Sequence, residues 1–446
     1  MINITLPDKV KYIIDRLEDA GYEAYAVGGC VRDCVLGRIP NDWDITTSAT
    51  PVQVKEIFKR TIDTGIQHGT VTVMLEKEGF EVTTYRIDGE YEDSRHPKEV
   101  IFTSNLVEDL KRRDFTINAM AYNDRSGIVD VFGGVDDLNN KVISCVGIAE
   151  ERFTEDALRM LRAVRFSAQL GFSIDKATQA AIIKLAPNLS HISAERIQTE
   201  LVKLLVSPNP DFMRVAYELG ITKIVLPELD KAFETAQNNP HHIYNVGEHM
   251  MHVLTNIRDD KALRIAALLH DIGKPDTKTT DDKGIDHFHG HAQVGEKMSE
   301  KILRRLKFDT DTITKVKKYV LYHDYDINTN PKAVRRAINK IGEEYFGQIL
   351  EIKRADALGQ SDYKIQEKMD TLDTLEEIYK EILEKNQCVS LKSLAITGND
   401  LLQMGIPKGK QIGDILKALL EDVLQTPENN NKNYLISQVK ELYINK

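Results

Sequence analysis

The apolar rhythm of the chain changes once, near residue 145, and that change sets the fold. Before it, short runs rich in β-branched and aromatic residues ("AYAVGG", "WDITT", "TVTVML", "FEVTTYRI") alternate with helical ones, and read as strands. "VTVMLEKEGFEVTTY" reads as a hairpin with a glycine-containing loop, and "PVQVKEIFKR" opens a helix at Pro51 after Thr50. After residue 150 the 3.6-residue period holds to the end, as in "EDALRMLRAVRFSAQL", "ALRIAALLHDIG" and "GDILKALLEDVL". The expected fold class is α+β, a small mixed-sheet head followed by an extended all-α body. A chain of 446 residues is too long for one core, so several units are expected. No internal repeat is present, and "PENNNKN", residues 427–433, reads as a loop between late helices.

No run of eighteen apolar residues suggests a membrane span, and the N-terminus lacks a basic and an apolar signal region. Cys30, Cys34, Cys145 and Cys388 are scattered without metal-knuckle or disulfide spacing, which fits a reducing cytoplasm. A net charge of -10 argues against sequence-independent nucleic-acid binding over the whole surface, though basic residues could gather locally.

The head contains "AVGGCVRDCVLGRIPNDWDITTSATP", residues 26–51, in which Asp42 and Asp44 flank the only tryptophan. On a strand the two carboxylates share one face, about 6–7 Å apart, with Trp43 turned to the core. Such a pair can hold hard divalent cations, or simply face water. Its context favours a site. Gly28 and Gly29 let backbone approach a phosphate, a helix beginning near Val31 points its N-terminus there, and Arg32 adds a charged donor.

G-G-x-V-R-D followed by D-x-D resembles the first motif of the class II nucleotidyltransferases, the tRNA CCA-adding enzymes and bacterial poly(A) polymerases. "RRDFTINAMAYN" (112–123), "DVFGGVDDL" (130–138), "EDALRMLRAVRF" (155–166) and "ISAERIQTEL" (192–201) resemble the following motifs in order. "LAITGNDLLQMGIPKGKQIGDILKALLEDVL" is similar to the tail of the bacterial CCA-adding enzymes. The resemblance implies Mg²⁺ on Asp42 and Asp44, Glu81 assisting deprotonation of the primer hydroxyl, and phosphate on Gly29 and Arg32. It also implies that Arg113, Arg162 and Arg165 contact phosphates and sugar. Asp156, Arg159, Arg162 and Arg165, three apart, are expected along one helix face, either as a solvated ion-pair face or as a site. Asp156 beside Arg159 would place an acceptor next to a donor. That pattern fits the Watson–Crick edges of cytosine and adenine and refuses those of uracil and guanine, a mismatch worth a few kcal/mol.

The polar loop 88–100 occupies the place of the flexible loop that CCA-adding enzymes need for A addition. "RTIDTGIQHGTVTV" lacks the basic-aromatic signature of the poly(A) polymerases.

Nine of the twelve histidines fall between residues 241 and 323. The order His249, His270–Asp271, Asp356, with His291 and His323 in addition, resembles the HD superfamily of metal-dependent phosphohydrolases. Imidazole with carboxylate suits Mn, Ni, Co, Fe or Zn better than Mg. Basic stretches at 301–318 and in "NPKAVRRAINK" are expected either as tRNA phosphate contacts or as solvated helix faces.

The expected organisation is a nucleotidyltransferase head (1–145), a helical neck reading the base (146–235), an HD-type metal-binding domain (236–365) and a tRNA-binding helical tail (366–446). The expected function is template-independent addition of CCA to the tRNA 3′ end from CTP and ATP, with release of pyrophosphate and no membrane partner. An A-adding enzyme or poly(A) polymerase, an HD phosphohydrolase with a nucleotide-sensing head, and an RNA-binding scaffold are the alternatives. Intact carboxylates in both constellations argue against the scaffold.

Overall fold

The computed structural model describes residues 4–88, 100–239 and 243–444. It divides into two compact units, Met1–Asp230 and Lys231–Lys446. Head and neck share the first unit; the histidine-rich segment and the tail share the second.

In the first unit, α1 (Asp8–Asp19) buries Val10, Ile13, Ile14 and Leu17, a stripe at helical spacing laid against the sheet. The sheet has seven strands. In chain order they are β1 (Ala24–Val27), β2 (Ile45–Thr47), β3 (Thr61–Gly65), β4 (Thr70–Leu75), β5 (Glu78–Thr84), and then Met120–Asn123 and Gly127–Asp130. The strand order is β3-β4-β5-β2-β1, followed by Met120–Asn123 and Gly127–Asp130, with β2 and β5 parallel and the other neighbours antiparallel. A separate two-stranded ribbon pairs Arg86–Asp88 with Val100–Phe102. "FEVTTYRI" therefore breaks at the buried Tyr85 instead of forming one strand.

Local sequence chemistry explains several boundaries. Helix α2 (Gly29–Val35) begins at Gly29, two residues earlier than expected, because Gly28 (φ +81) turns the chain out of β1 directly into it. Helix α3 (Pro51–Ile57) starts where expected, closed by a capping box between Thr50 and Gln53. The β4–β5 hairpin turns on Glu76 (φ +58), not on glycine. Gly79 lies inside β5, where a Cβ would come 2.8 Å from the Thr72 methyl.

After α4 (Leu106–Lys111), α5 (Gly134–Asn140) and α6 (Ala149–Glu155), the chain extends at Asp156 and α7 (Leu158–Leu170) begins afresh. "EDALRMLRAVRF" is thus not one helix, and Asp156 does not share a helix face with Arg159, Arg162 and Arg165. Helix α8 (Lys176–Leu185) and α9 (Ala194–Leu205) complete this unit's main helices, with α9 packed along α7.

The second unit is helical: α10 (Val246–Thr255), α11 (Lys261–Leu269), α12 (His291–Arg305), α13 (Thr310–Tyr322), α14 (Pro331–Ile341), α15 (Glu343–Leu358), α16 (Ile365–Glu384) and α17 (Lys410–Gln425). Its tail has its own core around Leu401, Ile415, Leu419, Val423, Leu435 and Val439. Within "PENNNKN", Pro427–Asn429 forms a short 3-10 turn and Lys432 already starts the next helix. No described helix is long and apolar enough to cross a membrane.

Candidate active site and a second metal-ligand cluster

Asp42 and Asp44 precede β2 instead of lying on it, and Trp43 is half-buried, not in the core. The short strand is fully buried and cannot carry two carboxylates, so they emerge at its entrance. Asp44 is fixed by its carbonyl, which accepts from Val27 N at 3.0 Å. Because Ile45, the first residue of β2, pairs in parallel with Val82 of β5, the preceding residues Asp44 and Glu81 are neighbours at the entrance of β2. Asp42, Asp44 and Glu81 all reach solvent. Enclosure by the protein pushes the Asp44 carboxyl up; the nearby Arg113 opposes this and Asp42 adds to it. Two crowded carboxylates with one raised are a set that a hard cation relieves.

The glycine turn meets two arginines. A Cβ on Gly28 would lie 2.9 Å from Arg113 Nη1, so glycine is what lets this guanidinium approach the backbone. Arg32 pairs with Asp33 at 2.8 Å and donates to Asn118 Oδ1 at 2.8 Å. Arg113 lies 3.5 Å from Asp109, and burial lowers its pKa.

From α7, Arg162 donates to Asp114 Oδ2 at 2.8 and 2.6 Å. Burial raises the Asp114 carboxyl, but Arg162 together with Asn118 and Arg159 outweighs it and holds it at about 2. Arg165 is buried, 2.6 Å from Glu200, with its guanidinium 3.6 Å from the Phe166 ring centre. Arg32 and Arg162 approach the same ring at 5.2 and 5.4 Å, so Phe166 is a shared aromatic platform.

The pair expected to read the base is arranged differently from expectation. Asp156 accepts from Leu158 N at 3.1 Å and from Arg196 at 2.6 Å. Arg159 pairs with Glu155, and donates to the carbonyls of Arg152 and Arg112, both at 3.1 Å. Each member is therefore held by its own partner. Asp109, Asp114, Asn118, Glu155, Arg196 and Glu200 were missed by sequence reasoning. Asp114 and Asn118 lay inside the quoted "RRDFTIN", where their acceptor role toward arginines was the available signal.

In the second unit the four expected ligands come together, joined by two more. His249 sits in α10, His270–Asp271 directly follow α11, His291 opens α12, His323 directly follows α13, and Asp356 lies in α15. His249 Nε2 lies 3.2 Å from His270 Nε2, 3.4 Å from Asp271 Oδ2 and 2.9 Å from Asp356 Oδ1. His291 Nε2 lies 3.2 Å from His323 Nε2, and these two are 3.4 and 3.6 Å from Asp271 Oδ1. Two buried groups thus share Asp271: His249–His270–Asp271 and Asp271–His291–His323. In all four rings Nδ1 faces a backbone carbonyl: Gly359 at 3.1, Ala267 at 2.8, Phe288 at 2.8 and Val320 at 2.7 Å. That fixes the proton on Nδ1 and leaves the Nε2 lone pairs convergent, the form a metal takes. Asp271 Oδ2 is buried with Lys274 Nζ at 2.7 Å, yet has no donor in hydrogen-bonding geometry among the described residues. The donor set therefore fits a transition metal.

Most cations of the basic stretches face solvent, several of them paired with acids. Arg304 pairs with Glu300, Lys317 with Glu296 and Glu300, Lys315 with Asp311, and Arg336 with Glu421. Arg335 is buried and donates to the carbonyls of Leu424 and Gln425, tying α14 to the end of α17. It is a structural contact, not a phosphate contact.

Residues 24–144 match the profile described as the poly A polymerase head domain. Residues 171–233 match the probable RNA and SrmB-binding site of polymerase A, and residues 278–439 match a putative tRNA nucleotidyltransferase domain 2. Fold and head together define the class, a nucleotidyltransferase with a dependence on divalent metal. A CCA-adding enzyme of Leuconostoc mesenteroides is 55% identical over 194 residues, 44% of this chain and 48% of that relative. This alignment spans about half the relative's length. A CCA-adding enzyme of Ligilactobacillus salivarius is 34% identical over 446 residues, 99% of both chains. The crystal structure of a Bacillus stearothermophilus CCA-adding enzyme in complex with CTP superposes with TM-score 0.73 at 29% identity, covering 99% of this chain and 100% of that one. A Thermotoga maritima CCA-adding enzyme complexed with tRNA shares the fold, with TM-score 0.60, 19% identity, and 98% and 96% coverage. The chain belongs to the family of CCA-adding enzymes.

Proposed function

We propose that this chain adds C, C and A to the 3′ end of tRNA from CTP and ATP, in the cytoplasm. The observation that carries the reading is the placement of Asp42, Asp44 and Glu81 beside the Gly28 turn, with Arg113 against it. The relatives' complexes with CTP and with tRNA support the substrates. Four free cysteines support the compartment.

Asp42 and Asp44 would hold Mg²⁺, which supplies charge neutralisation at the reacting phosphate and leaving pyrophosphate. Glu81, beside Asp44, accepts the proton of the primer 3′ hydroxyl as its oxygen bonds the α-phosphorus. Gly29 backbone, Arg32 and Arg113 hold the triphosphate. Arg162, fixed by Asp114, meets the sugar and phosphates, with the buried Arg165 behind it. Asp156 and Arg159 read the base as an acceptor beside a donor. The loop expected to govern the switch from C to A lies, apart from its ends, outside the described residues. The test is incubation with tRNA transcripts ending before CCA, after C and after CC, each with CTP, ATP or both. Addition of A alone would favour the A-adding alternative, and long A tails the polymerase.

A second reading concerns the other unit. We propose an HD-type phosphohydrolase centre that holds Mn, Ni, Co, Fe or Zn. The sharing of Asp271 between two histidine groups supports it. Metal analysis, with hydrolysis of bis-p-nitrophenyl phosphate, tests it.

A further inference from the structure

We infer that Asp109 is the positioning residue of the nucleotide site, one buried carboxylate that sets the triphosphate arginine and the base-reading arginine together. The inference rests on the head adding nucleotides as proposed above. Asp109 lies in the short α4 and is fully buried, outside every group the mechanism uses. Its Oδ2 accepts from Thr46 Oγ1 at 3.2 Å, two residues beyond Asp44 on β2, and faces Arg113 at 3.5 Å. Its Oδ1 accepts from Arg112 Nε and Nη2 at 2.9 and 2.8 Å, and from Arg86 N at 3.3 Å. The carbonyl of Arg112 in turn accepts from Arg159 at 3.1 Å.

Three parts of the site therefore converge on one group: the catalytic strand through Thr46, the triphosphate through Arg113, and the base reader through Arg112 and Arg159. A buried carboxylate with two cationic neighbours stays charged and rigid, since neither side can leave without stranding the other. Arg113 stands against the Gly28 backbone, where a small displacement would move it off the phosphates. Removing the charge at Asp109 takes away the ion pair of Arg113 and the side-chain anchor of Arg112 at once. Affinity for the nucleotide and choice of base should then fail together, which loss of packing alone does not produce.

The experiment compares wild type, Asp109→Asn, Thr46→Val and Leu110→Ala, the last a buried apolar neighbour whose truncation keeps the backbone carbonyl that accepts from Arg112 N and Arg113 N. KM for CTP and ATP, the ratio of UTP to CTP incorporation into a transcript lacking CCA, the Kd for CTP with Mg²⁺ and the Tm are measured. Asp109→Asn is expected to raise KM and Kd by about ten-fold or more and to raise the UTP:CTP ratio by about five-fold. Leu110→Ala is expected to lower Tm with KM, Kd and ratio within about two-fold of wild type. Asp109→Asn with a lowered Tm but wild-type KM, Kd and ratio overturns the inference. Should that variant not fold, Thr46→Val decides: a KM rise of about three-fold supports the inference and an unchanged KM ends it. If wild type itself incorporates nothing, the functional reading falls, and the CTP Kd still judges Asp109.

Discussion

Asp42 and Asp44 show how much a single position decides here. They sit at the entrance of β2, with Asp44 held by its backbone to β1, so truncating either carboxylate removes charge without disturbing the sheet. Asp42→Ala and Asp44→Ala are each expected to lower nucleotide addition by about a thousand-fold or more while tRNA affinity survives. Near-normal incorporation by either variant removes it from the catalytic role. Replacing Asp156 or Arg159 is expected to let UTP or GTP compete with CTP and ATP, because the donor–acceptor pattern is lost; an unchanged CTP/ATP preference in both variants excludes the pair as base reader. Asp114 offers a pH-dependent prediction. Its folded-state carboxyl is held near 2 against an unfolded value of about 3.9. A depressed carboxylate stabilises the fold above its unfolded pKa, and that contribution fades as pH falls toward the folded value. The stability gap between wild type and Asp114→Asn should therefore be level above about pH 5 and narrow by about 2 kcal/mol between about pH 4 and pH 2. Denaturant melts across that range check it, and a gap independent of pH refutes it.

Elements were legible where their signal was local. The capping box at Thr50, the hydrophobic stripes of the helical body and the alternation of β4 and β5 are written in short windows, and they folded as read. The misreadings have a common cause, which is that a side chain's partner lay far away in sequence. Asp156 was expected on one helix face with Arg159, but it lies outside α7 and receives Arg196 from α9. Arg335 looked like a surface cation, but it reaches the carbonyls at the end of α17. Glu76 takes the hairpin turn, while Gly79, three residues later, lies inside β5 against Thr72. Close packing between elements also makes a prediction. A Cβ on Gly273 would lie 2.3 Å from the His291 carbonyl oxygen and 2.7 Å from Gly295 N, so the turn after His270–Asp271 packs closely on α12 at this glycine. Gly273→Ala should push α12 away, cost about 1–3 kcal/mol of stability and weaken transition-metal binding, since His291 rides on that helix. Equilibrium dialysis with Mn²⁺ and a melt would show both effects, and an unchanged metal affinity would mean that His291 is not a ligand.

At the scale of the whole molecule, two candidate sites lie in two separately packed units. The carboxylate site belongs to Met1–Asp230 and the histidine cluster to Lys231–Lys446. The donor sets differ in the way the proposed metals do: oxygens alone at Asp42, Asp44 and Glu81, and four imidazoles with two carboxylates at the cluster. Burial differs too. The carboxylates reach solvent, as a site exchanging metal with each nucleotide requires, whereas His249, His270 and Asp271 are buried, as suits a resident ion. Independence follows. His270→Ala with Asp271→Ala should empty the second unit of tightly bound transition metal and abolish any phosphodiesterase activity, while C and A addition stays within about three-fold of wild type. Removing Asp271 also leaves Lys274 buried without its 2.7 Å partner, so the variant is expected to melt earlier, and the comparison must be made where both proteins are folded. Metal content by mass spectrometry and incorporation into a transcript lacking CCA are read on the same sample. A modest rise in KM for tRNA would fit helices of the second unit touching the RNA without sharing the chemistry. A loss of C and A addition as deep as that of Asp42→Ala, in a variant shown to be folded, would mean that the two sites work as one machine.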